Sequence, residues 1–260
     1  MNAIVTGGSS GIGLAVAKEL ARRGARLHLI ARDRDKLETA RRLVEQESKE
    51  PVAVHSADVS DESAITSVLQ SIGDASGIDI LIVSAGIMRV GRFADMAPGE
   101  HEESLAVNYR GALYTVRAAW PYLVQSRGRL GLVSSVAGYT GLYGYTAYAP
   151  AKFAIAGLAE CLRMEARPHG IGVTVVYPPD TDTPLLAYER EHAPPETRAI
   201  TAGARTLSPE AVAQSFVRGL LAGKFEVYCN AESRLIRIVK ALAPGMYYRM
   251  LDRMADKAGR

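Results

Sequence analysis

Asn2-Ala3-Ile4-Val5-Thr6-Gly7-Gly8-Ser9-Ser10-Gly11-Ile12-Gly13-Leu14 decides the fold. Asn2 to Thr6 read as a short buried strand, and a glycine-rich turn follows at once. Leu14, Ala17, Leu20 and Ala21 then recur at helical spacing. A strand, a glycine turn and a helix start together make an anion site. Glycines let the backbone approach a pyrophosphate, and the free N–H groups of the first helical turn supply positive potential. Gly7, Ser9, Ser10, Gly11, Ile12 and Gly13 are therefore the expected phosphate-side contacts of a dinucleotide. Gly7 to Gly11 also has the GxSxG form of a hydrolase nucleophile elbow. None of the five histidines (His28, His55, His101, His169, His192) stands in a pattern that would complete a triad, so Ser9 and Ser10 read as phosphate ligands.

Outward from this stretch the same rhythm repeats. Arg26–Ala31, Val52–Ser56, Ile78–Val83, Arg129–Ser134 and Gly172–Tyr177 read as further buried strands, and Phe225–Cys229 as a last one. Helical patterns separate them, one carrying Ala64, Ile65, Val68, Leu69 and Ile72. Strands alternating with helices imply right-handed crossovers: an α/β chain with a Rossmann-type, doubly wound parallel sheet in a single domain. The expected division is a cofactor-binding domain over residues 1–230 and a basic amphipathic segment over 231–260. Residues 178–208 interrupt the pattern. Five prolines in PPDTDTPLLAYEREHAPPETR predict a long substrate loop with at most one short helix. A helix is expected from Ser208 or Pro209 to Ala222, with Ser208 as its cap.

At the end of the second strand, Ala31 fills the place where an acid would meet a free ribose 2′-hydroxyl. Arg32 and Lys36 offer two cations to a 2′-phosphate instead, so NADP(H) is expected over NAD(H).

Composition bounds the remaining classes. The 260 residues weigh 27.9 kDa, 48% of them hydrophobic and 23% charged, which excludes a disordered or collagen-like chain. A net charge of +3 gives no case for nucleic acid. Cys161 and Cys229 form no CxxC pair and no disulfide framework; a reducing, cytoplasmic compartment is expected, and no metal. No basic and apolar leader opens the sequence, and no run of 18 apolar residues occurs, so neither signal peptide nor membrane span is expected.

Tyr148-Ala149-Pro150-Ala151-Lys152 sets a phenol and an ammonium one helical turn apart. A cation beside a phenol favours the phenolate, as suits a proton donor to a ketone or a base in the reverse direction. Pro150 requires that Tyr148 lie at the helix start. Ser134 and Ser135 end the fifth strand, at the sheet edge where ligands bind.

With these residues in order, the sequence resembles the short-chain dehydrogenase/reductase family over residues 1 to about 185. The resemblance implies a tetrad of Asn108 (in VNYRG), Ser135, Tyr148 and Lys152. Tyr148 would donate the proton, Ser135 would hold the carbonyl oxygen, Lys152 would lower the tyrosine and bind the nicotinamide ribose, and Asn108 would order a relay water. It also implies Asp58 and Val59 at the adenine, Ala85 and Gly86 beside the cofactor, and Pro178 and Thr183 at the nicotinamide, with Tyr148 and Lys152 shared. Two positions depart from the family pattern: Ser84 stands for its Asn, and Pro179 for the Gly after Pro178.

YPPDTDTP, GYTAYAPAKFAIAGLAE and the following Glu196-Thr197-Arg198 resemble the branch of this family that reduces the 3-keto group of a long-chain sphingoid base with NADPH. The other readings are a reductase of 3-oxoacyl thioesters or steroid-like ketones, and a cofactor-binding sensor or scaffold without catalysis. The resemblance further implies a homo-oligomer built through the helices of Asn108 and Tyr148.

The charge is unevenly placed. Residues 231–260 carry seven basic and three acidic residues, a surplus of four, which leaves the preceding 230 at −1. Leu235, Ile238, Val239 and Leu242 make one apolar stripe and Met246, Met250 and Met254 a second, divided by Pro244-Gly245. Two short amphipathic helices are expected, to cover the cleft, pack on a partner subunit, or meet a membrane surface peripherally through residues 232–257.

Overall fold

The computed structural model describes residues 1–258; Arg260, counted in the charge of the tail, lies outside them. Seven parallel strands form one sheet in the order β3-β2-β1-β4-β5-β6-β7: β1 Asn2–Thr6, β2 Arg26–Ala31, β3 Val52–Ser56, β4 Ile80–Val83, β5 Arg129–Val133, β6 Gly172–Tyr177 and β7 Glu226–Tyr228. The order reverses between β1 and β4, and the crevice at that switch point opens at the carboxyl ends of the strands.

Side chains alternate across each strand, so the sheet feeds two cores. Ala3, Val5, Leu27 and Leu29 pack under α1 (Gly11–Ala21), α2 (Arg34–Glu45) and α9 (Pro209–Leu221). Ile4, Ile30, Leu81, Leu130 and Val175 pack under α3 (Glu62–Ser76), α5 (Gly111–Ser126) and α6 (Tyr148–Ala166). A shorter α4 (Pro98–Leu105) runs through a π-helical turn, Ala106–Arg110, into α5. The strands were expected within two residues of where they lie.

The segment 178–208 is not the loop that its prolines predict. It holds two helices, α7 (Pro184–His192) and α8 (Pro195–Thr201). Pro184 and Pro195 occupy first helical turns, where a missing N–H costs nothing, so these prolines start helices and do not break them. Thr183 caps α7 by accepting from the Leu186 N–H, and a bridge between Thr181 and Leu207 closes the base of the segment.

The C-terminal segment forms α10 (Ala231–Leu242) and α11 (Pro244–Ala258), with Pro244 opening the second. Both are held to the turn after β5. The Tyr139 hydroxyl donates to the Ser233 carbonyl (2.7 Å), Lys240 Nζ donates to the Tyr139 carbonyl (2.6 Å), and the Thr140 and Tyr247 hydroxyls lie 2.6 Å apart. No helix of the described residues is long and apolar enough to cross a membrane.

Candidate active site

One cleft of about 640 Å³ runs over the carboxyl ends of the strands. Its lining includes Gly7, Ser9, Ser10, Gly11, Ile12, Gly13, Arg32, Lys36, Asp58, Val59, Ala85, Gly86, Ser135, Tyr148, Lys152, Pro178 and Thr183. All the cofactor-side residues read from the sequence thus meet in one place; of the tetrad, Asn108 stands just behind the wall.

The phosphate end is shaped by absent side chains. A β-carbon at Gly13 would collide with the Gly7 carbonyl oxygen, and one at Gly7 would sit 2.7 Å from the Ala85 nitrogen. Gly7 also has φ +70°, in the left-handed region. Ser10 stands at the N-cap of α1 with its side chain making no cap hydrogen bond, and the first turn holds no acid. The N-cap side chains of α2, α3, α9 and α10, by contrast, each accept from their own helix. An uncapped helix start facing a glycine-lined hollow fits the pyrophosphate of a dinucleotide. At the adenosine end, Arg32 lies 3.6 Å from Asp58 and Lys36 lies 3.6 Å from Asp33, the cap of α2. Both cations border the cleft.

Asn108 owes its inward aim to the π-helical turn, whose wider ladder rotates it out of register with α5. Its Oδ1 accepts from the Ile87 N–H (3.0 Å), and its Nδ2 donates to the Ile87 carbonyl (3.0 Å) and Ser104 Oγ (3.1 Å). Both amide hydrogens are therefore used, one on the turn at 86–87 and one on Ser104 of α4, and a water held by this side chain would bond at Oδ1. Gly86 is required there, because a β-carbon would stand 2.6 Å from Asn108 Oδ1 and 3.6 Å from Lys152 Nζ.

Ser135 Oγ accepts from the Ala137 N–H (3.1 Å), which leaves its own O–H free to donate. Tyr148, at the first position of α6 as Pro150 demands, is buried beside it. Lys152 Nζ donates to the Val133 carbonyl (3.1 Å) and lies 5.6 Å from the centre of the Tyr148 ring.

Their protonation differs from the sequence expectation. Burial pushes the Tyr148 phenol well above its usual range, the Ser135 hydroxyl pulls it back, and Glu189 and Asp180 push it further up. Burial alone brings Lys152 down to about 8. The groups that shift Tyr148 are thus burial, Ser135, Glu189 and Asp180, while Lys152 spends one of its three N–H bonds on the Val133 carbonyl and is itself shifted by burial.

Thr183 reaches the cleft but uses its hydroxyl locally, donating to the Thr181 carbonyl (3.1 Å). Pro178 contributes its carbonyl to the Val136 N–H (3.0 Å). Ser84, at the departure from the family turn, donates its N–H to Thr6 Oγ1 (3.3 Å), so this turn is tied to β1 without an amide side chain. Glu196, Thr197 and Arg198 all hold α8 in place: Glu196 pairs with Arg92 (2.9 Å), Thr197 Oγ1 donates to the Tyr143 carbonyl (2.7 Å), and Arg198 donates to the Ala193 carbonyl (2.8 Å).

The far end of the cleft is apolar, walled by Met88, Leu142, Leu185, Ile236, Met250 and Leu251. Of the C-terminal helices, one side thus forms the cleft wall. Tyr145, Asp180 and Glu189 also line the cleft; Tyr145 and Asp180 fall inside the stretches GYTAYAPAKFAIAGLAE and YPPDTDTP, which assign them no role, and Glu189 falls in no site motif.

A family model described as short chain dehydrogenase matches residues 1–194. The chain is 42% identical over 239 residues to a 3-ketodihydrosphingosine reductase of Bos taurus, covering 90% of this chain and 72% of that one. It is 42% identical over 228 residues to a 3-dehydrosphinganine reductase of Danio rerio, covering 85% and 69%. Among solved structures, the alcohol dehydrogenase of the archaeon Thermococcus sibiricus, complexed with 5-hydroxy-NADP, superimposes with a TM-score of 0.76 at 25% identity, covering 87% of this chain and 94% of that one.

Proposed function

The chain belongs to the short-chain dehydrogenase family, and from that premise we propose that it reduces the 3-keto group of a long-chain base with NADPH, Tyr148 donating the proton. One observation carries the reading: a buried phenol and a serine hydroxyl beside it stand between a dinucleotide-shaped hollow and an apolar cleft. The relatives named for this reduction, at 42% identity, support the substrate class.

When bound, NADPH supplies the hydride. The protein does the rest. The glycine turn and the start of α1 would hold the pyrophosphate, and Arg32 and Lys36, which border the cleft, would meet the 2′-phosphate. The Ser135 O–H donates to the carbonyl oxygen and stabilises the negative charge that grows on it. Tyr148 then gives that oxygen its proton; a phenol held above its usual range is in the donor form at neutral pH. Lys152, anchored on Val133, brings positive charge to the ribose side of the cleft. The apolar wall receives the hydrocarbon chain and excludes water.

The reading extends to place and assembly. The outer side of α10 and α11 leaves Leu235, Leu242 and Met246 exposed, which supports peripheral contact with a membrane surface by a cytoplasmic enzyme. Phe153 and Met164 are exposed on α6, which supports a homo-oligomer through α5 and α6.

NADPH oxidation is followed with 3-ketosphinganine, with a 3-oxoacyl thioester, and with no ketone. Turnover of the long-chain base by the wild type, lost by more than a hundredfold in Tyr148→Phe while NADPH still binds, is the expected result. Turnover of the thioester alone would replace the substrate assignment, and full activity of Tyr148→Phe would remove the proton donor.

A further inference from the structure

Two acids in the cleft have no part in the reduction as derived. Glu189, on α7, is 5% exposed, and Asp180 follows β6; both line the cleft with Ser135, Tyr145 and Tyr148. Their fields reach the phenols of Tyr145 and Tyr148, which both acids push upward. Among the described residues neither acid forms a salt bridge. Arg190 draws both acids down through its charge, but its guanidinium donates to Thr206 Oγ1 (3.2 Å). The Tyr145 hydroxyl is the group that faces the Glu189 carboxylate.

Such an arrangement works against both fold and chemistry. A carboxylate taken out of water without a salt-bridge partner is costly, and burial outweighs the charge of Arg190 and holds both acids above the usual carboxylate range. Negative charge near Tyr148 also opposes the alkoxide that forms as hydride arrives. A cation brought by the substrate would reverse both effects. It would favour the charged form of both carboxylates and screen the developing oxyanion.

We propose that Glu189, with Asp180 beside it, is the subsite for an ammonium group on the carbon next to the carbonyl being reduced. The inference rests on the long-chain-base reading, since such a ketone carries its amine at that position. It goes further in assigning the residues that select it. The apolar part of the wall fits: Met88, Leu142, Leu185, Ile236 and Met250 offer a hydrocarbon surface, Arg205 and Glu232 are further charged residues of the lining, and the acid pair beside Tyr148 is the polar end of an amphiphile's site. A thioester or a steroid-like ketone brings no cation and would leave the pair unmatched.

The test compares 3-ketosphinganine with the chain-matched hydroxyketone that lacks the amine, in wild type, Glu189→Gln and Asp180→Asn, at saturating NADPH. The readout is the ratio of kcat/KM for the two ketones. The ratio is expected to favour the amine in the wild type and to fall about tenfold or more in Glu189→Gln, mostly through KM, and by less in Asp180→Asn. An unchanged ratio in both variants, or equal losses on both ketones, overturns the subsite. If Glu189→Gln does not fold, Asp180→Asn alone must still lower the ratio. Calorimetry separates this proposal from the activity itself. Sphinganine should bind the NADP+-loaded wild type at least tenfold tighter than the chain-matched diol without the amine, and Glu189→Gln should erase that preference. Equal binding of the two by the wild type overturns the subsite whether or not the enzyme turns over. Preferential binding of the amine without turnover would instead keep the subsite and remove the reductase reading.

Discussion

Burial is the largest influence on the protonation of both Lys152 and Tyr148. Burial brings Lys152 from 10.5 to about 8, so the folded state carries a penalty for its charge. The sign follows from linkage. Below pH 8 the lysine is charged in both folded and unfolded chains, and the penalty is present in full. Between pH 8 and 10.5 the unfolded chain binds more protons, so stability rises with pH by a total on the order of 3 kcal/mol. Lys152→Met lacks this group. The melting temperature of the wild type should therefore rise relative to Lys152→Met by several degrees between pH 7 and pH 10, read by thermal melts without cofactor. Parallel curves would show that Lys152 is not desolvated. The tyrosine–lysine spacing was legible because a helix fixes which residues share a face. The protonation was not, because it depends on burial and on Ser135, Glu189 and Asp180, which approach from other elements.

The phosphate turn is a contact between two elements, β1 and α1, and its glycines are demanded by backbone. A β-carbon at Gly13 meets the Gly7 carbonyl, which cannot swing away as a side-chain end could. Gly13→Ala should displace the turn, raise the NADPH dissociation constant at least tenfold, and cost roughly 1–3 kcal/mol of stability. Fluorescence titration with NADPH beside a denaturant curve checks both; binding within twofold of wild type would mean that the turn does not cradle the pyrophosphate. This part of the fold was readable because strand, glycine turn and helix are contiguous in the chain. Strand positions were readable for a similar reason: strands buried on both faces give unbroken apolar runs such as Ile80–Val83. The helices α7 and α8 were not, since a proline that opens a helix and one that ends it look alike until the cap is seen. Thr183 with Pro184 was the available signal for α7. At α8 the cap position holds Pro194, which offers no side-chain cap, so nothing local marked that start.

The whole molecule carries its charge asymmetry in a part that has two faces. On the inner side Ile236, Met250, Leu251 and Met254 line the cleft. On the outer side Leu235 is 59% and Leu242 81% exposed. The surplus of four positive charges in residues 231–260 suggests an electrostatic attachment, but part of it faces the body. Lys240 donates to the Tyr139 carbonyl, and Arg237 lies 3.8 Å from Glu226. Arg234, Arg249 and Arg253 are exposed and attract anionic lipid through screened interactions of about 1 kcal/mol each. Burying a leucine side chain contributes roughly 1.5–3 kcal/mol and is not screened by salt. The apolar term should therefore lead. In vesicle co-sedimentation with full-length protein, Leu235→Glu/Leu242→Glu should lower partitioning at least tenfold on vesicles containing phosphatidylserine. Raising salt from 0.1 to 0.5 M should lower wild-type binding by less than that substitution does. Binding abolished by salt and indifferent to the two leucines would assign the contact to charge. No vesicle binding by the wild type would leave the two helices as wall of the cleft alone.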